Sequence, residues 1–211
     1  AIFLSNFEER ISSAETYGES ETSLMKDSFE LDKPGTMFGA WLGTWPSTAD
    51  RSIEKFNTLS NRHCDVIHSF VSSNQDMAEW TGFMNYTKEQ GAINLLTILL
   101  HNSEGIQYST MDINNGKLDA YFTELAKQFK NWQGGSEIWF QPLYEVNGYW
   151  FGWCVGDSKV NTNETYRKAY QRIVTIFRNN GATNVKFGYN VNYNNNGKGA
   201  SYMGAYPGDE Y

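Results

Sequence analysis

The sequence predicts an α/β fold, and three observations predict it. Five β-prone runs recur along the chain, at residues 37–42, 65–71, 93–100, 138–143 and 185–191. Most are near-continuous apolar runs, as strands covered on both faces of a parallel sheet are. Between them, apolar residues fall at three- and four-residue steps, the period of a helix buried on one side. The order is therefore β-α-β-α-β-α-β-α-β.

Residues 1–35 stand apart. They carry eight acidic residues against Arg10, Lys26 and Lys33, with few apolar side chains, and end at Pro34-Gly35. They read as an acidic leader or linker with one or two helical turns. The first strand follows. Ile53, Phe56 and Leu59 then mark a short helix, and Met77, Trp80, Phe83 and Met84 a second. Leu118, Tyr121, Phe122, Leu125, Phe129 and Trp132 form a long stripe. Tyr166, Ala169, Tyr170, Ile173, Val174 and Phe177 form another, closed by Gly181 as a C-terminal cap. Gly134-Gly135 and Asn179-Asn180-Gly181 turn the chain into the strands that follow. Right-handed crossovers allow two arrangements of these units: an open doubly wound sheet, or part of a (β/α)8 barrel. Five units consume nearly all of the chain, so eight do not fit.

Composition narrows the function. The chain has 211 residues, a net charge of −7 and no basic cluster, which disfavours nucleic acid as a partner. No apolar run reaches the roughly 18 residues that a membrane span needs. Neither a CxxC spacing nor a Cys/His cluster occurs, so no metal or other cofactor is expected. Cys64 and Cys154 fall at opposite ends of parallel strands and are expected as free thiols. The turn after the first strand, Gly39-Ala40-Trp41-Leu42-Gly43-Thr44-Trp45-Pro46, is not the Gly-rich turn that cradles a pyrophosphate. Aromatic residues make up 16% and charged residues only 19%, a balance suited to neutral polymers.

The chemistry concentrates in Gln141-Pro142-Leu143-Tyr144-Glu145-Val146-Asn147-Gly148-Tyr149-Trp150-Phe151-Gly152-Trp153. One carboxylate, Glu145, follows the fourth strand, and an amide and four aromatics follow within eight residues. Pyranose faces are apolar and stack on rings, while an acid can protonate a glycosidic oxygen. In barrels, catalytic groups sit at the C-terminal strand ends. Asn147 suits a sugar hydroxyl or an Asx turn with Gly148. Trp150 and Trp153 suit sugar stacking or core packing; Tyr149 and Phe151 are balanced between the two. His101 ends the third strand, on the same predicted rim as Glu145, and is a candidate for a substrate hydrogen bond. Trp41 and Trp45 after the first strand, and Asn190 after the fifth, also face that rim. His68 lies inside the second strand and reads as a core histidine, and His63 as a solvated helix end. Glycoside hydrolysis ordinarily uses two carboxylates. Asp76 and Glu104 lie in loops and Asp209 and Glu210 in the tail, so none has a strand-end context.

Ordered blocks carry a resemblance. The block around Glu145, residues 166–174 and 181–185, and Tyr206-Pro207-Gly208-Asp209-Glu210-Tyr211 together resemble glycoside hydrolase family 26 over residues 36–211. The family motif reads roughly Arg-Pro-Leu-His-Glu-Met-Asn-Gly-x-Trp-Phe-Trp-Trp. The resemblance implies a (β/α)8 barrel of the retaining glycosidase type, with this chain covering about strands one to five. It implies a secreted endo-β-glycanase acting on β-1,4-mannan or mixed-linkage β-1,3-1,4-glucan. Glu145 matches the acid/base and Trp150 the aromatic beside the cleaved bond. Tyr144 stands where mannanases carry His, and Gln141 where they carry Arg, so a charge and an imidazole are missing. Leu99-Leu100-His101 replaces a Trp-Glu-Pro-like sequence. In the family the nucleophilic Glu follows strand seven, which places it beyond residue 211. The remaining strands are expected from another polypeptide or from sequence outside these residues. The alternative is a non-catalytic carbohydrate-binding protein on a degraded scaffold.

Overall fold

The computed structural model describes residues 36–43, 52–156, 158–193 and 201–211. The acidic segment 1–35, Trp45 and the Asn-rich stretch 194–196 lie outside the described residues.

Five strands form one parallel sheet in the order β1-β2-β3-β4-β5, each beside its neighbour in sequence. They are β1 (Gly39–Trp41), β2 (Val66–Ser72), β3 (Ile93–Leu99), β4 (Ile138–Gln141) and β5 (Val185–Phe187). Sequential order is the topology of a barrel arc; a doubly wound sheet would reverse direction after its first strand pair. The helices are α1 (Ile53–Ser60), α2 (Met77–Glu89), α3 (Thr110–Asn114), α4 (Asp119–Asn131) and α5 (Asn163–Asn179), with a 3-10 turn at Tyr202–Ala205. Strand and helix alternate as the apolar pattern requires. The first and fifth strands are shorter than expected, and α3 adds a short helix before the long stripe.

Local chemistry sets the helix starts. Asp76 caps α2 and Glu79 returns the bond, a complete capping box, so Asp76 is committed to backbone amides. Thr162 caps α5 in the same way. All six residues of the α5 stripe are buried, and Phe122, Leu125 and Phe129 of α4 are buried with them. Phe129, Phe140 and Phe177 meet with ring centroids 5.5 to 6.0 Å apart, locking both helices onto β4. Asp119 and Arg172 tie the two helices together outside the core.

The sheet's two faces differ. Ile67, Val71, Leu96, Ile98, Ile138 and Phe140 point to the helices and are buried. The alternate residues point to the concave face, which is only partly covered: Trp41 is 43% exposed, Phe70 44%. Across that face Phe70, Thr97 and Gln141 share one register layer. β1 and β5 lie at opposite edges of the sheet. Cys64 and Cys154 are buried, unpaired thiols, as expected.

Candidate active site

The site is built on the exit from β4. Two bulky residues there adopt left-handed backbone, Leu143 at φ 53° and Glu145 at φ 54°. Such conformations are costly without glycine and persist only where the surroundings over-determine them. Here they do. The buried Tyr166 hydroxyl donates to the Leu143 carbonyl at 2.7 Å, and Trp153 Nε1 donates to the Tyr144 carbonyl at 2.8 Å. The Glu145 amide donates to Asn190 Oδ1 at 3.1 Å. The Glu145 carbonyl receives the Gly148 amide at 2.9 Å and the Cys154 thiol at 3.2 Å. The backbone that aims Glu145 is thus held from α5, the segment after β5 and the following loop at once.

Its carboxylate receives Trp150 Nε1–H at Oε2, 2.6 Å away, a short charge-assisted bond. The indole lies directly over Gly148. A Cβ at that position would stand 2.6 Å from Trp150 Cζ2, so no larger residue fits beneath the ring. Tyr149 meets Trp150 edge-on, with centroids 5.0 Å apart, and is 41% exposed. On the other flank Tyr144 contacts Phe70 at 5.8 Å and Phe151 at 4.5 Å, and Phe70 contacts Trp41 at 6.2 Å. Burial first, and then the neighbouring Glu145 carboxylate, push the Tyr144 phenol upward, so it stays neutral and hydrogen-bond capable.

Gln141 ends β4 with its side chain packed over Gly188; a Cβ there would meet Gln141 Cγ at 2.9 Å. Its Oε1 accepts from Thr97 Oγ1 at 2.8 Å, and Thr97 in turn lies 2.8 Å from His68 Nε2. Because the Thr97 proton goes to Gln141, His68 donates from Nε2. Burial lowers the His68 pKa to about 4, so it is a neutral core residue, as its place within β2 implied.

Four expected contacts take different jobs. Trp153 is completely buried, stacked on Phe151 at 4.9 Å, and presents no face to a sugar. Asn147 is buried and spends its amide on both backbone groups of Asn192, at 2.8 and 2.7 Å, pinning the β5 loop. His101 has both ring nitrogens engaged, Nε2 with Ser72 Oγ and Nδ1 with Asn74 Nδ2, each at 2.7 Å. Asn74 Nδ2 also donates to the Asn102 carbonyl at 2.8 Å, and His101 Nδ1 lies 3.2 Å from that same oxygen. The group is a clasp between the ends of β2 and β3. Asn190 acts on Glu145 through its backbone rather than on the cleft.

Sequence reasoning missed Asn161. It is buried; its Oδ1 accepts from Thr110 N and Oγ1, at 3.1 and 2.8 Å. Its Nδ2 donates to Gly152 O and Cys154 O, at 2.7 and 2.9 Å. One side chain therefore fastens the aromatic loop to α3. Nothing in its neighbours, Val160 and Thr162, signals this. Phe70 was also missed, although it shares the concave face with His68 by simple alternation.

Among the described residues, no cluster of three or more His, Cys, Asp or Glu could hold a metal ion. None of the described helices is long and apolar enough to cross a membrane. Asp76 is a cap and Glu104 an exposed loop residue, so Glu145 is the acid that the described strand ends offer. A depression of about 410 Å³ lined by Asp119, Arg172 and Tyr211 lies on the outer helix layer, on elements that do not carry Glu145.

A sequential parallel arc of βα units, with its carboxylate and open aromatics gathered at the C-terminal strand ends, defines a (β/α)-barrel protein. The chain belongs to glycosyl hydrolase family 26, whose model matches residues 79–211. It is 45% identical over 178 residues, 84% of the chain, to Endoglucanase H of Acetivibrio thermocellus. It is 35% identical over 75 residues, 35% of the chain, to a mannan endo-1,4-beta-mannosidase of Bifidobacterium adolescentis. The chain spans only 19% and 7% of these two proteins. Among solved structures, a GH26 β-mannanase from Bacteroides ovatus superposes with a TM-score of 0.61 at 16% identity, and a Bacillus subtilis mannanase with 0.64 at 16%. Both matches cover 83% of this chain, but 59% and 61% of the solved ones. Five strands are accordingly the arc of a (β/α)8 barrel.

Proposed function

We propose that this chain is the acid/base-bearing part of an endo-acting β-glycanase that hydrolyses a plant cell-wall polysaccharide by retaining double displacement. The observation that carries the proposal is Glu145 Oε2 held by Trp150 Nε1 at 2.6 Å on an over-determined strand exit. Glu145 first protonates the leaving oxygen, then deprotonates the water that releases the covalent intermediate. The nucleophilic carboxylate lies beyond residue 211, on further barrel strands or a second polypeptide, which also cover the concave face. The substrate is β-1,4-mannan or mixed-linkage β-1,3-1,4-glucan. The 45% identity to an endoglucanase, with uncharged Gln141 and Tyr144 beside the acid, favours the glucan. A polymer outside the cell requires a secreted enzyme.

The test is Glu145→Gln in the complete enzyme, assayed on both polysaccharides. A folded variant with turnover reduced at least a thousandfold supports the role, and near-normal turnover refutes it. NMR of the first-formed product anomer reports retention. The second reading is a non-catalytic carbohydrate-binding protein. The commitment of Gln141 to Thr97, at a position where mannanases carry a charge, favours it. Binding without hydrolysis by the complete wild-type protein would establish it.

A further inference from the structure

We infer that Tyr149 is the stacking platform for the sugar ring on the leaving-group side of the cleaved bond. This rests on the reading of Glu145 as proton donor. A proton donor touches the oxygen between two sugars, so the two flanks of Glu145 belong to different rings. The inner flank, with Tyr144 and Phe70, runs onto the concave face of the sheet, toward the strands that close a barrel. The ring that becomes covalently held must lie there, between Glu145 and a carboxylate across the mouth. The other rings at the acid are Trp150, bonded to the carboxylate, and Tyr149, packed edge-on against Trp150 at 5.0 Å. With the inner rings given to the covalently held sugar, this second pair is assigned to the leaving sugar.

Tyr149 is fitted for this task in two ways. It is 41% exposed, while Trp153 in the same loop is fully buried. It is also rigidly carried. Gly148 before it is bonded through its amide to the Glu145 carbonyl and through its carbonyl to the Gly156 amide, each at 2.9 Å. Trp150 after it is bonded to the carboxylate itself. A ring whose backbone is fixed by the catalytic acid's own partners costs little conformational entropy on binding. It offers an apolar face to a pyranose at a constant offset from the acid.

The experiment compares two substrates in the complete enzyme. One is the polysaccharide. The other is a β-cellobiosyl or β-mannobiosyl fluoride, whose leaving group is too small to reach the ring and needs little acid assistance. Tyr149→Ala should lower kcat/KM on the polysaccharide about tenfold, the fold-change of one aromatic stack. The fluoride should be cleaved within twofold of wild type. Tyr149→Phe, which keeps the ring, should restore the polysaccharide rate. Unchanged polysaccharide turnover in Tyr149→Ala overturns the inference, as does an equal loss on both substrates. A wild-type enzyme that cleaves neither substrate strikes down the glycanase reading instead, and this inference with it.

Discussion

Trp150 donates its indole proton to Glu145 five residues earlier, and Gly148 lies beneath the indole with no room for a Cβ. The acid, its donor and the space for that donor are thus written into six consecutive residues. Each can be removed separately.

Trp150→Phe keeps an aromatic ring, though a smaller one, and deletes the N–H. Hydrogen bonds to a charged group contribute about 1.5–3 kcal/mol. The complete enzyme should therefore lose roughly ten- to a hundredfold in kcat/KM on polysaccharide, while still unfolding cooperatively at a lowered melting temperature. Steady-state kinetics beside calorimetry check this.

Gly148→Ala places a methyl 2.6 Å from Trp150 Cζ2 and 2.7 Å from Cε2. The indole must swing away from Glu145. Activity should fall at least as far as in Trp150→Phe, and the tryptophan fluorescence spectrum should shift. A crystal structure of the variant with the indole still over residue 148 would contradict the reading.

Asn161→Ala leaves the Thr110 amide and the Gly152 and Cys154 carbonyls without their buried partner. Each orphaned buried group costs about 1–3 kcal/mol, partly recovered by relaxation. We expect about 2–4 kcal/mol of lost stability in urea unfolding. Asn161→Asp keeps the acceptor but loses both donations, so it should not rescue.

His68 supplies the pH dependence. Its pKa is about 4 in the fold because burial opposes the charged form, against about 6.5 for an unfolded histidine. Above pH 6.5 the group is neutral in both states and contributes nothing to the slope. As pH falls below 6.5 the unfolded chain binds the proton first, so stability declines until about pH 4. The total is on the order of 3 kcal/mol. Denaturant unfolding of wild type and His68→Gln between pH 7 and 4 should show this slope in wild type and its loss in the variant.

Much of the fold was legible because it is periodic. All six apolar residues of the α5 stripe are buried, and each of the five β-prone runs contains a strand. The place of Glu145 just past β4, among rings, was legible from the strand pattern and its aromatic neighbours. The roles of neighbouring residues were less so. Trp150 and Trp153 stand three residues apart with identical chemistry, yet one holds the acid while the other is sealed beneath Tyr144 and Phe151. Asn147 and His101 have the composition of sugar ligands but are consumed by Asn192, Ser72 and Asn74.

The sequence by itself determined the alternation of strands and helices, the uncharged aromatic character of the rim, and that Glu145 follows the fourth strand. These depend on local period and on residue chemistry, which are one-dimensional properties. Only the tertiary structure decided which amides face the cleft and which fasten its walls, that Leu143 and Glu145 hold left-handed backbone, and that Asn161 anchors the loop. Hydrogen-bond partners 23, 45 and 51 residues apart settle those questions. A buried polar group takes whichever partner the packing brings within 3 Å or so, and its chain neighbours do not specify that partner.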